Sequence, residues 1–430
     1  MTRADELVVV GPRPLRGRLR LPGDKGISHR ALFAASLANG ASAITDLAPG
    51  DDVARTQAAL DALGVRVMSA PDGVSVEGAG VEALHEPAAA IDCGNSGTTM
   101  RMLVGLLAGR PFRTVLTGDA SLSERPMQRV VTPLRTLGAT IDGRDGGNRA
   151  PLEVSGAQLT GATVELEVAS GQVKTALVLA GLQASGTTEI VEPAPSRDHT
   201  ERLLGALAAP VERVDDRTTR VRAGAPEAFT CTVPGDPSSA AFFVVAATIT
   251  QGSELVLEDV LLNPGRIAFI DVLRSMGASI EVHVREDRLG EPVGDLAIRS
   301  APLRGTTFTT TEAIIDEIPV LAVAASFADG LTEIRNVAEL RVKESNRAAT
   351  IEHELTMLGI GVEAHGDVLV VRGGRPRAAT LESHGDHRIA MAAAVAASAV
   401  EGESRVRGWS SVAVSYPHFA EDLDQLAGMS

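Results

Sequence analysis

Residues 386–402 read DHRIAMAAAVAASAVEG, a stretch that is charged for its first turn, apolar almost throughout the rest, and closed by Gly402. An apolar run without a polar face makes a helix that is buried all round, and glycine after the last apolar position stops it. The plan recurs five times upstream. Its plainest copy is DPSSAAFFVVAATITQG over 236–252, and the other closing glycines are Gly40, Gly109, Gly186 and Gly330, about 70 residues apart. The openers are Ser28-His29-Arg30, Asn95-Ser96-Gly97-Thr98-Thr99, Ser170-Gly171-Gln172, Asp236-Pro237-Ser238-Ser239, Asp316-Glu317 and Asp386-His387-Arg388. Polar chemistry and repeat are in phase.

A second set of segments alternates with the first. Val130/Leu134/Leu137, Ile351/Leu355/Leu358 and Phe419/Leu423/Leu426 have the spacing of an amphipathic helix. Most of these end at glycine, as in Leu63-Gly64, Leu137-Gly138, Met276-Gly277 and Leu358-Gly359; the copy at Leu207-Ala208 lacks it. β-Branched runs and turns such as Pro71-Asp72-Gly73 and His365-Gly366-Asp367 complete each unit. The unit reads strand, helix, strand, helix, two strands, with the apolar helix inside and the amphipathic one outside.

At 430 residues the chain exceeds a single core. Its 44% hydrophobic and 22% charged content is that of a globular protein, and the 3% aromatic fraction leaves the cores to Ala, Val, Leu and Ile. Cys93 and Cys231 give no disulfide framework or metal spacing, which suits a reducing compartment. The opening MTRADELVVV has acidic residues where a signal peptide needs basic ones, and no apolar run approaches the ~20 residues of a membrane span. A cytoplasmic protein without a membrane partner is expected. The net charge of −15 and the lack of a basic, aromatic-laced cluster argue against a nucleic-acid partner.

Leu21-Pro22-Gly23-Asp24 returns as Val233-Pro234-Gly235-Asp236, each copy just ahead of an apolar helix. Three repeats lie between the two phrases and three follow the second. The expected division is residues 24–235 as an inserted three-repeat domain and residues 1–23 plus 236–430 as the other. A hinge is expected near Pro22-Gly23 and Pro234-Gly235.

The openers carry Lys25, Arg30, Arg101, Arg125, Arg197, Lys343, Arg347 and Arg388. A helix N-terminus brings unpaired N–H groups and about half a positive charge, so an acidic chain can hold polyanions there. Singly, each motif has a plainer reading: Asn95-Ser96 as a cap, Lys343–Arg347 as a solvated charge run, Asp386-His387 as a surface pair. Recurrence in phase is what favours function.

Eight stretches in order, LPGDKGISHRAL, DCGNSGTTMR, TGDASLSERPM, SGQVKTA, PSRDHTE, PGDPSSAAFF, RVKESNR and GDHRIAM, resemble the 3-phosphoshikimate 1-carboxyvinyltransferase (EPSP synthase) family over nearly the whole chain. The resemblance implies an α/β fold of two inverse domains, each of three βαβαββ repeats, with the active site in the interdomain cleft. It implies transfer of the enolpyruvyl group of phosphoenolpyruvate to the 5-hydroxyl of shikimate 3-phosphate, with no metal or organic cofactor. These two small molecules are the expected partners, and a monomer is expected.

By the same resemblance, shikimate 3-phosphate is held by Lys25, Arg30, Ser170, Gln172, Arg197, Asp316 and Lys343. Phosphoenolpyruvate falls to Lys25, Gly97, Arg125, Gln172, Arg347 and Arg388; guanidinium forks match carboxylate and phosphate oxygens. Asp316 is expected as base toward the hydroxyl, Glu344 as proton donor to the methylene carbon, and Lys25 as the aid to phosphate departure. The chain departs from the family pattern at Gly26, where Ser is usual, so a hydroxyl that contacts the shikimate phosphate is missing. Asn346 likewise stands for the more usual Asp. Gly97, where glyphosate-tolerant members often carry Ala, implies inhibition by that herbicide. Gly26 motivates the alternative of a paralogue with another cyclic alcohol as acceptor, and a silent anion-binding homologue is a further one. The sister transferase acting on UDP-N-acetylglucosamine typically has a reactive Cys before its Arg-Pro pair, whereas Gly118–Ser123 has no thiol.

Overall fold

The computed structural model describes residues 5–428. By contacts the chain divides into two compact units: one runs to Pro22 and continues over Pro234–Glu286 and from Pro292 on, and the other is Gly23–Val233 with Asp287–Glu291.

Six copies of one supersecondary unit build the chain. In the copy that spans Thr307–Arg372, strand Thr307–Thr309 pairs in parallel with Leu331–Arg335, which pairs antiparallel with Val368–Arg372, itself antiparallel to Gly361–His365. Parallel neighbours need a crossover, and the apolar helix Ile318–Ser326 supplies it. Two copies take their first strand from far along the chain. Thr230–Thr232 pairs in parallel with Asn39–Thr45, and Arg16–Arg20 with Glu254–Leu261. Glu6–Gly11 adds antiparallel to Gly402–Arg407 in a three-stranded sheet.

Five of the six inner helices begin where a short polar side chain replaces the missing backbone acceptor, the exception being Ile318–Ser326, which opens on Glu317 and Ile318-Pro319 without a side-chain cap. Asp24, Ser96, Ser170, Asp236 and Asp386 accept from Ile27, Thr99, Val173, Ser238 and Arg388 N–H groups. Asp24 therefore starts the first helix at Lys25, one turn ahead of the Ser28-His29-Arg30 opener read from the sequence. No residue of Pro237–Ile249 or His387–Ala399 is exposed. Phe243 of the former meets Phe419 of the amphipathic helix Phe419–Leu426 at 5.1 Å between ring centroids, and Tyr416 at 6.1 Å. Truncating such a ring to Ala costs about 3–5 kcal/mol.

The outer helices stop as their glycines require. Gly64, Gly138, Gly277 and Gly359 all have positive φ, and in the copy without glycine Ala208 is held at φ 57°. A left-handed Ala is strained by roughly 1–2 kcal/mol, so the repeat's geometry overrides local preference there. Lys174 of the SGQVKTA stretch points into the fold, 2.7 Å from Glu192 and 2.8 Å from Glu201, all three buried. Among the described residues no helix is long and apolar enough to cross a membrane.

Candidate active site

In the Gly23–Val233 unit the expected residues lie at or beside the openings of three inner helices, several of them joined by hydrogen bonds. Lys25 is the first residue of its helix, and its Nζ lies 3.0 Å from Asp52 Oδ2 at the start of the outer helix Asp51–Ala62. Thr99 Oγ1 donates to the Asp52 carbonyl at 3.2 Å, tying this pair to the helix Gly97–Leu107. Two guanidiniums flank Gly97: a Cβ built there would stand 2.9 Å from Arg101 Nη1 and 3.5 Å from Arg125 Nη1. Arg101 Nη1 donates to Gln172 Oε1 at 2.7 Å, and Gln172 Nε2 to Thr98 Oγ1 at 2.9 Å. Arg125 Nη2 donates to Asn95 Oδ1 at 2.6 Å.

Ser170, Arg197 and Arg30 meet about Gly171. Ser170 caps the helix Gly171–Gly181, and a Cβ on Gly171 would lie 3.2 Å from the Arg197 Cβ and 3.6 Å from Arg30 Nη2. Arg30 is buried and braces three elements: Nε donates to Thr200 Oγ1, Nη1 to Gly26 O, and Nη2 to Gly171 O and Thr175 Oγ1. Planar donors in fixed directions are what a guanidinium offers and an ammonium does not.

The other unit gathers its five expected residues around Arg347. Asp316 lies just ahead of the helix Ile318–Ser326, and its carboxylate is 3.5 Å from Arg347, 3.8 Å from Arg388 and 3.9 Å from Lys343. Arg388 Nη1 also donates to the Asp316 carbonyl at 3.0 Å. Arg347 Nη2 donates to Glu344 Oε2 at 2.7 Å, and Nε to Asp386 Oδ2 at 2.8 Å. Burial by itself would lower the pKa of the Arg347 guanidinium; the carboxylates of Glu344, Asp386 and Asp316 outweigh it and raise the value above the ordinary one. Burial would likewise raise that of Asp386, yet Arg347 holds it below the usual aspartate range. The cluster thus brings the carboxylates of Asp316, Glu344 and Asp386 together with the cations Lys343, Arg347 and Arg388, and the Arg347–Asp386 pair is held charged within it.

The plainer readings hold only in part: in Lys343–Arg347, Glu344 and Asn346 are exposed as in a solvated run but Arg347 is 1% exposed, and Asp386 is not a surface residue, being wholly buried. Arg101 and Asp386 stand in the openers read from the sequence but carry no assigned role there, and Asp52 is not among the candidates at all. Asp386 was visible as a cap before an apolar helix; Asp52 gave no signal, because only the packing of its helix brings it to Lys25.

Five βαβαββ copies and a sixth one strand short, whose inner helices open on cations, carboxylates and mostly capped N-termini, define an α/β protein of the anion-handling transferase class. The chain belongs to the EPSP synthase (3-phosphoshikimate 1-carboxyvinyltransferase) family, whose model matches residues 9–423. It is 49% identical over 434 residues to a 3-phosphoshikimate 1-carboxyvinyltransferase of Synechococcus sp. (strain JA-3-3Ab), covering 99% of this chain and 98% of that one. One from Roseiflexus castenholzii is 49% identical over 419 residues, 96% of this chain and 97% of that one. A solved structure of EPSP synthase from Acinetobacter baumannii superposes with a TM-score of 0.88 at 38% identity, covering 98% of each chain. The two-domain, six-repeat inverted α/β fold is thereby that of this family.

Proposed function

We propose that the chain transfers the enolpyruvyl group of phosphoenolpyruvate to the 5-hydroxyl of shikimate 3-phosphate, giving 5-enolpyruvylshikimate 3-phosphate and phosphate, a step of aromatic amino acid biosynthesis. The observation that carries the reading is the meeting of Asp316 and Glu344 on one buried guanidinium, Arg347. A mere anion binder gains nothing from two carboxylates beside its cations. Relatives that match the chain from end to end carry the carboxyvinyltransferase name, so a paralogue with another acceptor is not favoured.

Shikimate 3-phosphate is assigned to Lys25, Arg30, Ser170, Gln172, Arg197, Asp316 and Lys343. Phosphoenolpyruvate is assigned to Lys25, Gly97, Arg125, Gln172, Arg347 and Arg388. The reaction is addition followed by elimination. Asp316 takes the hydroxyl proton as the oxygen bonds to C2 of phosphoenolpyruvate, and Glu344 delivers a proton to the methylene, which becomes a methyl group. The methyl then returns a proton, the C–O bond to phosphate breaks, and the Lys25 ammonium balances the charge on the departing phosphate. Bidentate guanidiniums hold the carboxylate and phosphate in place meanwhile. A cytoplasmic monomer completes the reading.

Purified protein mixed with both substrates should release phosphate in step with enol ether formation. Release from phosphoenolpyruvate alone, or no release at all, would overturn the proposal.

A further inference from the structure

His29 lies on the helix that begins with Lys25, one turn further in, and is wholly buried. Its Nδ1 is 2.7 Å from Thr56 Oγ1, which is 2.7 Å from Thr99 Oγ1. Thr99 Oγ1 in turn is 2.7 Å from Ser96 Oγ and 3.2 Å from the Asp52 carbonyl oxygen. Thr56 and Thr99 are also fully buried and Ser96 nearly so, while among the described residues His29 Nε2 has no hydrogen-bond partner.

Four contacts need four protons, and the three hydroxyls supply three. A carbonyl oxygen only accepts, so the Thr99 hydroxyl proton goes to Asp52. The two other contacts of Thr99 Oγ1 must then be donated to it, by Thr56 and by Ser96, whose own oxygen accepts the Thr99 N–H. Thr56, having donated, can only accept from the ring. The fourth proton therefore sits on Nδ1.

We propose that His29 is a positioning residue, held as the neutral Nδ1–H tautomer, which seats Asp52 against Lys25 and Ser96 at the start of the Gly97 helix. Burial keeps the ring neutral and holds its pKa down to about 3; Asp52 and Asp24 oppose this, and Lys25 and Arg30 reinforce it. A ring that titrated near neutrality would break the chain at its first link, because the imidazolium would need a second buried acceptor at Nε2. The consequence for turnover rests on the role given above to Lys25; the tautomer rests on the hydrogen-bond count alone.

Nitrogen NMR of histidine-labelled enzyme, with the His29 signals assigned by their loss in His29→Asn, should show a pyrrole-type Nδ1 and a pyridine-type Nε2, unchanged between about pH 5.5 and 8. An Nε2–H pattern, or signals that titrate in this range, would overturn the tautomer. Asparagine keeps an N–H donor at the Nδ1 position and leucine does not. His29→Leu should therefore lower kcat at least about tenfold, with His29→Asn within about threefold of wild type. Equal impairment of the two variants would sink the positioning role, as would an active His29→Leu beside an inactive Lys25→Met. An active Lys25→Met would instead strike the reading of Lys25, and with it the link from His29 to turnover.

Discussion

Arg347 Nε and Asp386 Oδ2 meet at 2.8 Å with side chains 1% and 0% exposed, so Arg347 is the main shield of the buried Asp386 charge and Asp386 shares with Glu344 the shielding of Arg347. Removing one partner of such a pair typically costs about 3–5 kcal/mol. Asp386→Asn should lose stability of this order in urea unfolding, along with turnover. The pH dependence follows from the depressed folded pKa of Asp386. The pair's contribution is complete above the ordinary aspartate value of about 3.9 and is lost as pH falls through the lower folded value. The stability gap between wild type and Asp386→Asn should therefore be constant above about pH 5 and close in more acid solution. A gap that widened toward acid would contradict the sign.

Lys25 and Asp52 form a partly exposed pair at 3.0 Å, with side-chain exposures of 25% and 12%. Exposure on that scale limits its worth for stability to about 1 kcal/mol or less, so its purpose is better sought in orientation of the ammonium. Lys25→Met should cut kcat by about a hundredfold or more, and Asp52→Asn by about tenfold, with melting temperatures little changed. A large drop in melting temperature for Asp52→Asn, with kcat intact, would make the pair structural.

Glu344 accepts from Arg347 Nη2 at 2.7 Å, and glutamine can preserve that acceptor while losing the acid–base function of the carboxyl group. Glu344→Gln should bind shikimate 3-phosphate as wild type does, yet turn over about a hundredfold more slowly. Calorimetry and phosphate release read the two effects separately. Turnover within a few-fold of wild type would remove Glu344 from the mechanism.

Where periodicity alone decides an element, the sequence was a sufficient guide: the all-apolar helix at 387–399 is buried on every side because it has no polar face to expose. The apolar period alone sets the first helix at Ser28-His29-Arg30, a turn late, because Asp24 belongs to a Pro-Gly phrase that marks a boundary and at the same time caps the helix. The exchange of Thr230–Thr232 into the sheet of Asn39–Thr45 left no local trace, because strand pairing across nearly the whole unit is a tertiary choice. The same holds for Lys343–Arg347. Whether a charged run is solvated depends on which carboxylates arrive beside it, and Asp316 and Asp386 come from elsewhere in the chain.

Gly97 leaves room for one hydrogen where a methyl would stand 2.9 Å from Arg101 Nη1, itself bonded to Gln172. The guanidinium end can swing aside by a few tenths of an ångström, but only by loosening Gln172. Gly97→Ala should raise KM for phosphoenolpyruvate about three- to tenfold, leave that for shikimate 3-phosphate near wild type, and weaken inhibition by glyphosate, to which the wild type should be sensitive. An unchanged wild-type rate in millimolar-scale herbicide would overturn the last expectation.

Gly26 is the position where a missing hydroxyl and a tight seat oppose each other. A hydrogen bond to a charged phosphate is worth about 1.5–3 kcal/mol, which by itself would favour Gly26→Ser by tenfold or more. A Cβ there would lie 3.1 Å from Asp24 Oδ1 and 3.2 Å from Arg30 Nη1. Neither neighbour yields freely: Asp24 Oδ1 caps Ile27 N–H at 2.7 Å, and Arg30 is braced on Gly26 O, Gly171 O and two threonines. Small shifts of both should cost part of the gain, so the expected result is a KM for shikimate 3-phosphate about threefold lower with kcat unchanged. A rise in KM instead would mean that crowding of Asp24 and Arg30 dominates, and that the phosphate is already held by Ser170 and its neighbours without help from position 26.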